Sequence, residues 1–250
     1  MGRLKIEPEF INKIKEAGSL VFFTGAGISA ESGIPTFRGK EGLWKKFKPE
    51  ELANFNAFMQ NPDMVWEWYN HRKKIVHESQ PNEGHLTIAR MQKYFDKVTV
   101  VTQNIDNLHK RAGSTDIFEL HGNIERNFCV NCKEFYNEEL DFSKGVPKCK
   151  CGGLIRPDVV WFGEMLPEDQ FIGGESASVN SDIFFVVGTS AVVYPAARLV
   201  YSAKQGGAII VEINIEQTEV SSIADYSFFG ESGKVLPEIL NAYKSEAGKE

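Results

Sequence analysis

No stretch of this chain is apolar for the ~20 residues that a bilayer crossing needs, and residues 1–10 contain no apolar signal core. Basic charge is not in excess. The 28 Lys and Arg stand against 34 Asp and Glu, a net charge of −6, which argues against general nucleic-acid binding or attachment to a membrane surface. Internal repeats and low-complexity tracts are absent. Cysteine is scarce, four in 250 residues, and all four fall in two close pairs. In a reducing compartment such pairs suggest a metal before a disulfide. What remains is an ordinary globular composition, 42% hydrophobic and 25% charged, expected in the cytoplasm. Its length fits one large domain, or a large domain with a small insert.

The full GxGxxG fingerprint is missing too. The apolar run Leu20–Phe23 reads as a buried strand and enters Thr24-Gly25-Ala26-Gly27, but position 30 is Ala and the next glycine is Gly33. Two glycines at a strand-to-helix turn suit a backbone that lets a pyrophosphate approach its N–H groups, although GxG alone could mark any tight turn.

Hydrophobic spacing predicts a first helix from Phe10 to Ala17, loops and short helical turns over 37–61, a helix from Pro62 to Glu78 and another after Pro81-Asn82. Val98–Thr102, Ile117–Leu120, Ile183–Val187 and Ile209–Ile213 read as further buried strands. A helix through Ala196–Ala203 stops at Gly206-Gly207, and Val235–Tyr243 closes the chain. Residues 173–182 give no reading beyond surface helix and loop. Strands alternating with helices predict an α/β fold, a doubly wound, mostly parallel Rossmann-like sheet. Cysteine, lysine and asparagine concentrate over 125–156, as in an inserted module, after which Val159–Gly163 is expected to return to the main core. The expected division is 1–38, 81–124 and 158–250 in the Rossmann-like domain, with 39–80 helical and 125–157 zinc-binding.

Each strand ends in a small polar cluster: Thr24-Gly-Ala-Gly, Thr102-Gln-Asn-Ile-Asp, His121-Gly-Asn, Gly188-Thr-Ser and Asn214-Ile-Glu. In a doubly wound sheet the carboxyl ends of the strands line one crevice, so five such loops point to one site. Cys129-x-x-Cys132 and Cys149-x-Cys151, 16 residues apart, have the spacing of a zinc ribbon whose second knuckle is one residue short, a closed structural site. Four free thiols are the alternative.

Taken together, Gly25-Ala-Gly-Ile-Ser29, Gly33-Ile-Pro-Thr-Phe-Arg-Gly39, Gln103-Asn-Ile-Asp106, Leu108-His109, Leu120-His-Gly-Asn123, the cysteine pairs, Arg156-Pro157, Trp161-Phe-Gly-Glu164, Gly188-Thr-Ser190 and Asn214 occur in the order found in sirtuins. The chain resembles that Sir2 family of NAD-dependent protein-lysine deacylases over nearly its whole length. The resemblance implies an acyl-lysine protein or peptide substrate, NAD as co-substrate, one structural Zn2+, and nicotinamide and O-acyl-ADP-ribose as products.

It implies His121 as the base that activates a ribose hydroxyl, a role suited to a group with an ordinary pKa of about 6.5. His85 and His109 read as packing or capping groups. Gly25, Ala26, Gly27, Ser29, Thr36, Phe37, Arg38, Gln103, Asn104, Ile105, Asp106, Gly188, Thr189, Ser190, Asn214, Ile215, Glu216 and Ser232 match cofactor contacts. Asn104 and Asp106 match those to the nicotinamide amide and ribose, unless Asp106 caps the next helix. Val160, Trp161, Phe162 and Gly163 match the segment that pairs with substrate backbone by strand addition.

Thr36 stands where many deacetylating relatives have Asp, and resembles the branch that removes succinyl and malonyl groups. Tyr69 and Arg72, at i and i+3 on one helix, offer a phenol and a guanidinium to an acyl carboxylate; the plainer reading is a core tyrosine and a solvated arginine. Two rival functions remain at this stage. One is a mono-ADP-ribosyltransferase using the same NAD pocket; the other is a binding module whose zinc insert docks DNA or a partner.

Overall fold

A computed structural model describes residues 6–37, 42–45, 48–136, 138 and 140–248. The chain opens with α1 (Pro8–Glu16), β1 (Ser19–Thr24) and the short α2 (Ala26–Ala30). It continues through α3 (Pro49–Leu52), α4 (Phe55–Gln60), α5 (Pro62–Glu78), α6 (Glu83–Met91), β2 (Lys97–Thr102), α7 (Leu108–Arg111) and β3 (Asp116–Glu119). An antiparallel excursion, β4 (Gly122–Cys129), β5 (Phe135–Tyr136) and β6 (Ile155–Val159), follows. The chain ends with α8 (Glu168–Val179), β7 (Ile183–Val187), α9 (Arg198–Gly206), β8 (Ile209–Asn214), β9 (Tyr226–Phe229) and α10 (Ser232–Ala247). No helix among the described residues is long and apolar enough to cross a membrane.

The six parallel strands lie in the order β3-β2-β1-β7-β8-β9. Apolar runs such as Leu20–Phe23 and Ile183–Val187 are unbroken because both faces are covered there, and side chains alternate between them. Leu20 and Phe22 of β1 join one core with residues of α1, α6 and α10, while Val21 and Phe23 join a second with α8 and α9. Phe22 stacks on Phe185 with ring centroids 4.6 Å apart, and each such burial contributes about 2 kcal/mol. Gly207, at φ 94°, takes the left-handed turn that ends α9.

Three departures from expectation have clear causes. The edge strand β9 was not anticipated, since Tyr226–Phe229 is short and only Phe228 is fully buried. Residues 168–179 form a full helix whose central glycines permit close packing: a Cβ on Gly173 would lie 2.2 Å from the Phe118 ring. Val159 and Trp161 do not return to the main core. They pack with Phe58, Trp66, Tyr69 and Ile124 in a third core shared by α4, α5 and the small sheet. Trp66 Nε1 donates to the Ile155 carbonyl at 2.9 Å, and Lys73 Nζ to Asn127 Oδ1 at 2.6 Å, which fastens α5 to that sheet.

Candidate active site

A cavity of about 900 Å3 lies at the carboxyl ends of the parallel strands, lined by residues from all five polar loops. Gly25, Ala26, Gly27, Gln103, Asn104, Ile105, His121, Gly188, Thr189, Ser190, Asn214, Ile215, Glu216 and Ser232 border it, as do Thr36 and Phe37. Ser29 and Asp106 are fully buried instead and do not line it. Arg38 lies outside the described residues.

The glycines do more than admit a phosphate. A Cβ on Gly27 would fall 2.7 Å from the Gly188 backbone, and one on Gly25 would fall 2.6 Å from Thr189 Cβ. They let two strand ends meet. The Gly25, Gly27 and Ile28 amides already donate to carbonyls of Val187, Gly188 and Gly25, so this turn keeps fewer free donors for a pyrophosphate than its glycine pattern suggests.

Beneath the cavity floor, Ser29 Oγ donates to Asp106 Oδ2 at 2.6 Å and accepts from Asn104 Nδ2 at 3.1 Å. The other Asp106 oxygen accepts the Leu108 amide at 3.0 Å. Asp106 therefore accepts the first amide of α7 and also orients Ser29; burial raises its pKa. His121 pairs its Nδ1 with the Gln103 carbonyl at 2.9 Å. A carbonyl only accepts, so Nδ1 carries the proton and Nε2 is left as the basic nitrogen. Burial lowers the His121 pKa below 6.5, partly offset by the Gln103 bond.

Tyr69, Trp68 and 160–163 border the far end of the cavity. Trp161 Nε1 donates to Tyr69 Oη at 2.8 Å, and burial raises the Tyr69 pKa to about 12, so the phenol keeps its proton as a donor. Arg72 stands behind this wall. It is only 5% exposed, and its guanidinium carbon lies 4.6 Å from the Phe37 ring centroid and 5.1 Å from that of Trp68. The solvated arginine of the plainer reading is not what the packing gives. Among the described residues Arg72 makes no ion pair, and its Nε lacks a hydrogen-bond partner.

The 160–163 segment is tied down on its amide side. Val160, Trp161 and Phe162 amides donate to the His121 carbonyl, Glu164 Oε2 and the Ala53 carbonyl. Arg156 holds Glu164 through two bonds of 2.5 and 2.9 Å and stacks 3.3 Å from the Trp161 ring centroid. The Trp161 carbonyl already accepts the Glu164 amide, so an extended ligand pairing here would use the Val160 carbonyl and the Gly163 amide.

At the opposite end, buried Glu212 gathers the hydroxyls of Thr218, Ser221 and Ser227 at 2.5, 2.6 and 3.1 Å. This steadies the loop that carries Ile215 and Glu216. Ser232 Oγ donates to Glu31 Oε1 at 3.1 Å, and the Gly233 amide to the same oxygen at 2.8 Å. Glu31, Glu231, Trp68 and the run Val193-Tyr194-Pro195 also border the cavity and were missed from sequence. Only the last carried a signal, since it continues the Gly188-Thr-Ser loop into a Tyr-Pro turn.

Cys129, Cys132, Cys149 and Cys151 converge, with all four sulfurs within 4.8 Å of one another and two pairs at 3.5 Å. A tetrahedron with ~2.3 Å Zn–S bonds has edges of about 3.8 Å, so the set fits zinc. The Asn131 and Cys151 amides point at Cys129 and Cys149 sulfurs, as knuckle amides do. The one-residue-shorter second pair does not prevent the cluster.

A family model described as "Sir2 family" matches residues 25–195. The "NAD-dependent protein deacylase" of Aquifex aeolicus (strain VF5) is 49% identical over 232 residues, 92% of this chain and 97% of that protein. Among solved structures, a mutant Sir2 homologue in complex with ADP-ribose superposes with a TM-score of 0.93 at 42% identity, covering 98% of this chain and 99% of the other. A Sir2–p53 peptide–NAD+ complex gives 0.86 at 32% identity, covering 98% and 99%.

Proposed function

The chain belongs to the Sir2 family, and on that premise we propose that it is an NAD-dependent protein-lysine deacylase that takes succinyl and malonyl groups, with deacetylation as a second activity. The observation that carries the acyl preference is Arg72. A buried guanidinium normally has an anionic partner, because desolvating a lone charge costs several kcal/mol. Arg72 makes no ion pair among the described residues, the buried Asp106 carboxylate offsets its charge only in part, and three positions along its helix the Tyr69 phenol borders the cavity with its proton available. A carboxylate at the end of an acyl chain would complete both groups.

NAD, when bound, supplies the electrophilic ribose carbon and the nicotinamide leaving group. The protein's part is to orient and to move one proton. In our reading His121 Nε2 takes the proton of a ribose hydroxyl while Gln103 fixes the tautomer, and Asn104 holds the nicotinamide amide. Gly25–Gly27, Ser190, Asn214 and Glu216 hold the phosphates and adenine ribose. Val160–Gly163 align the substrate backbone through the Val160 carbonyl and the Gly163 amide. The four cysteines would hold zinc as a structural ion, remote from this chemistry.

The test is nicotinamide release from NAD in the presence of matched acetyl-, malonyl- and succinyl-lysine peptides. Faster turnover of the acidic acyl groups is expected. Nicotinamide release that none of the acyl-lysine peptides stimulates, together with labelled ADP-ribose on protein, would instead indicate a mono-ADP-ribosyltransferase.

A further inference from the structure

His109 is buried beneath the cavity and does not line it. Its Nε2 lies 3.0 Å from Thr24 Oγ1, which donates to Thr102 Oγ1 at 2.8 Å, and Thr102 Oγ1 accepts the Asn104 amide at 3.0 Å. With its own proton directed at Thr102, the Thr24 hydroxyl must accept from His109, so His109 carries its hydrogen on Nε2.

The opposite ring nitrogen agrees. Nδ1 has no partner, and neither has Asn107 Oδ1. Both residues line a cavity of about 10 Å3, the size of one water. Two orphan acceptors beside one such space suit a single water donating to both, whereas an Nδ1–H with no acceptor would be the costlier arrangement.

We propose that His109 is a positioning residue: through the hydroxyls of Thr24 and Thr102 it fixes the Gln103–Asn104 turn. That turn carries two groups of the proposed mechanism, the Gln103 carbonyl on His121 Nδ1 and the Asn104 side chain that spans Gly25 and Ser29. The inference rests on the reading of Asn104 as the nicotinamide holder.

The test compares His109→Leu, His109→Gln and Thr24→Val with the full-length wild type. A glutamine amide can replace the Nε2–H donor; leucine cannot. Calorimetric affinity for NAD should fall about tenfold in His109→Leu and Thr24→Val, the worth of one broken link. Affinity for ADP-ribose, which lacks the nicotinamide, should stay within twofold. His109→Gln should recover most of the NAD loss, and kcat should follow the same order with peptide KM unchanged.

Equal losses in His109→Leu and His109→Gln, or parallel losses of NAD and ADP-ribose, would mean that His109 only fills space. A wild type that binds NAD but releases no nicotinamide with any acyl peptide would refute the deacylase reading instead. The NAD and ADP-ribose comparison would still decide the role of His109.

Discussion

Arg72→Met separates a ligand-binding arginine from a structural one. The side chain is 5% exposed, packs against Phe37 and Trp68, and leaves its Nε unbonded. Its burial disfavours the charge, which lowers the pKa, and only the Tyr69 and Asp106 side chains partly offset this. Methionine fills similar apolar volume without that desolvation. The folded state should therefore lose little stability, and thermal unfolding should stay level or rise. Bound succinyl-lysine is a different case, because one charge-assisted hydrogen bond contributes about 1.5–3 kcal/mol. Its loss corresponds to roughly ten- to a hundredfold in kcat/KM. Steady-state desuccinylation should fall by that factor while deacetylation changes less than about threefold. Equal losses on both peptides, with a lowered unfolding temperature, would show that Arg72 braces the α5 wall and binds no carboxylate.

Other consequences can be measured directly. Because burial lowers the His121 pKa below 6.5, the base stays neutral until the pH falls below that value. The acid limb of kcat/KM should lie below pH 6.5, and a limb above it would contradict a His121 base whose pKa is lowered by burial. His121→Tyr should abolish turnover while metal content is unchanged. Burial also lowers the His85 pKa from 6.5 to about 4, so between those values the unfolded chain binds a proton that the folded chain refuses. Stability is lost as pH falls through that window, by about 3 kcal/mol. In urea titrations wild type should lose that much more than His85→Gln between pH 7 and 4; identical losses would contradict it. Metal analysis should find one zinc per chain. Cys129→Ser should unfold at least the β4–β6 module, since structural zinc contributes roughly 10–16 kcal/mol in small modules. A variant with wild-type unfolding and no metal would refute a structural role.

The sequence by itself determined the parallel sheet, the five strand-end loops and the cysteine cluster. Each depends on local pattern: apolar runs such as Ile183–Val187 can be buried on both faces only in a covered parallel sheet, and close cysteine pairs leave little else to form. Tertiary packing decided what the loops do. Nothing local to Gly27 says that its missing Cβ makes room for Gly188, 161 positions along the chain. Likewise, nothing local to Asp106 says that Ser29, on α2, takes one of its oxygens while the Leu108 amide takes the other. Trp161 lies beside a return to the main sheet in sequence, yet its indole packs with Phe58 and Tyr69 and donates to the Tyr69 hydroxyl, because α4 and α5 close over the small sheet at this point. Arg72 is polar in any sequence pattern. Only the rings of Phe37 and Trp68 make it a buried cation. Burial and the pairing of polar atoms depend on segments far apart in the chain, and those are the terms that set the chemistry of this site.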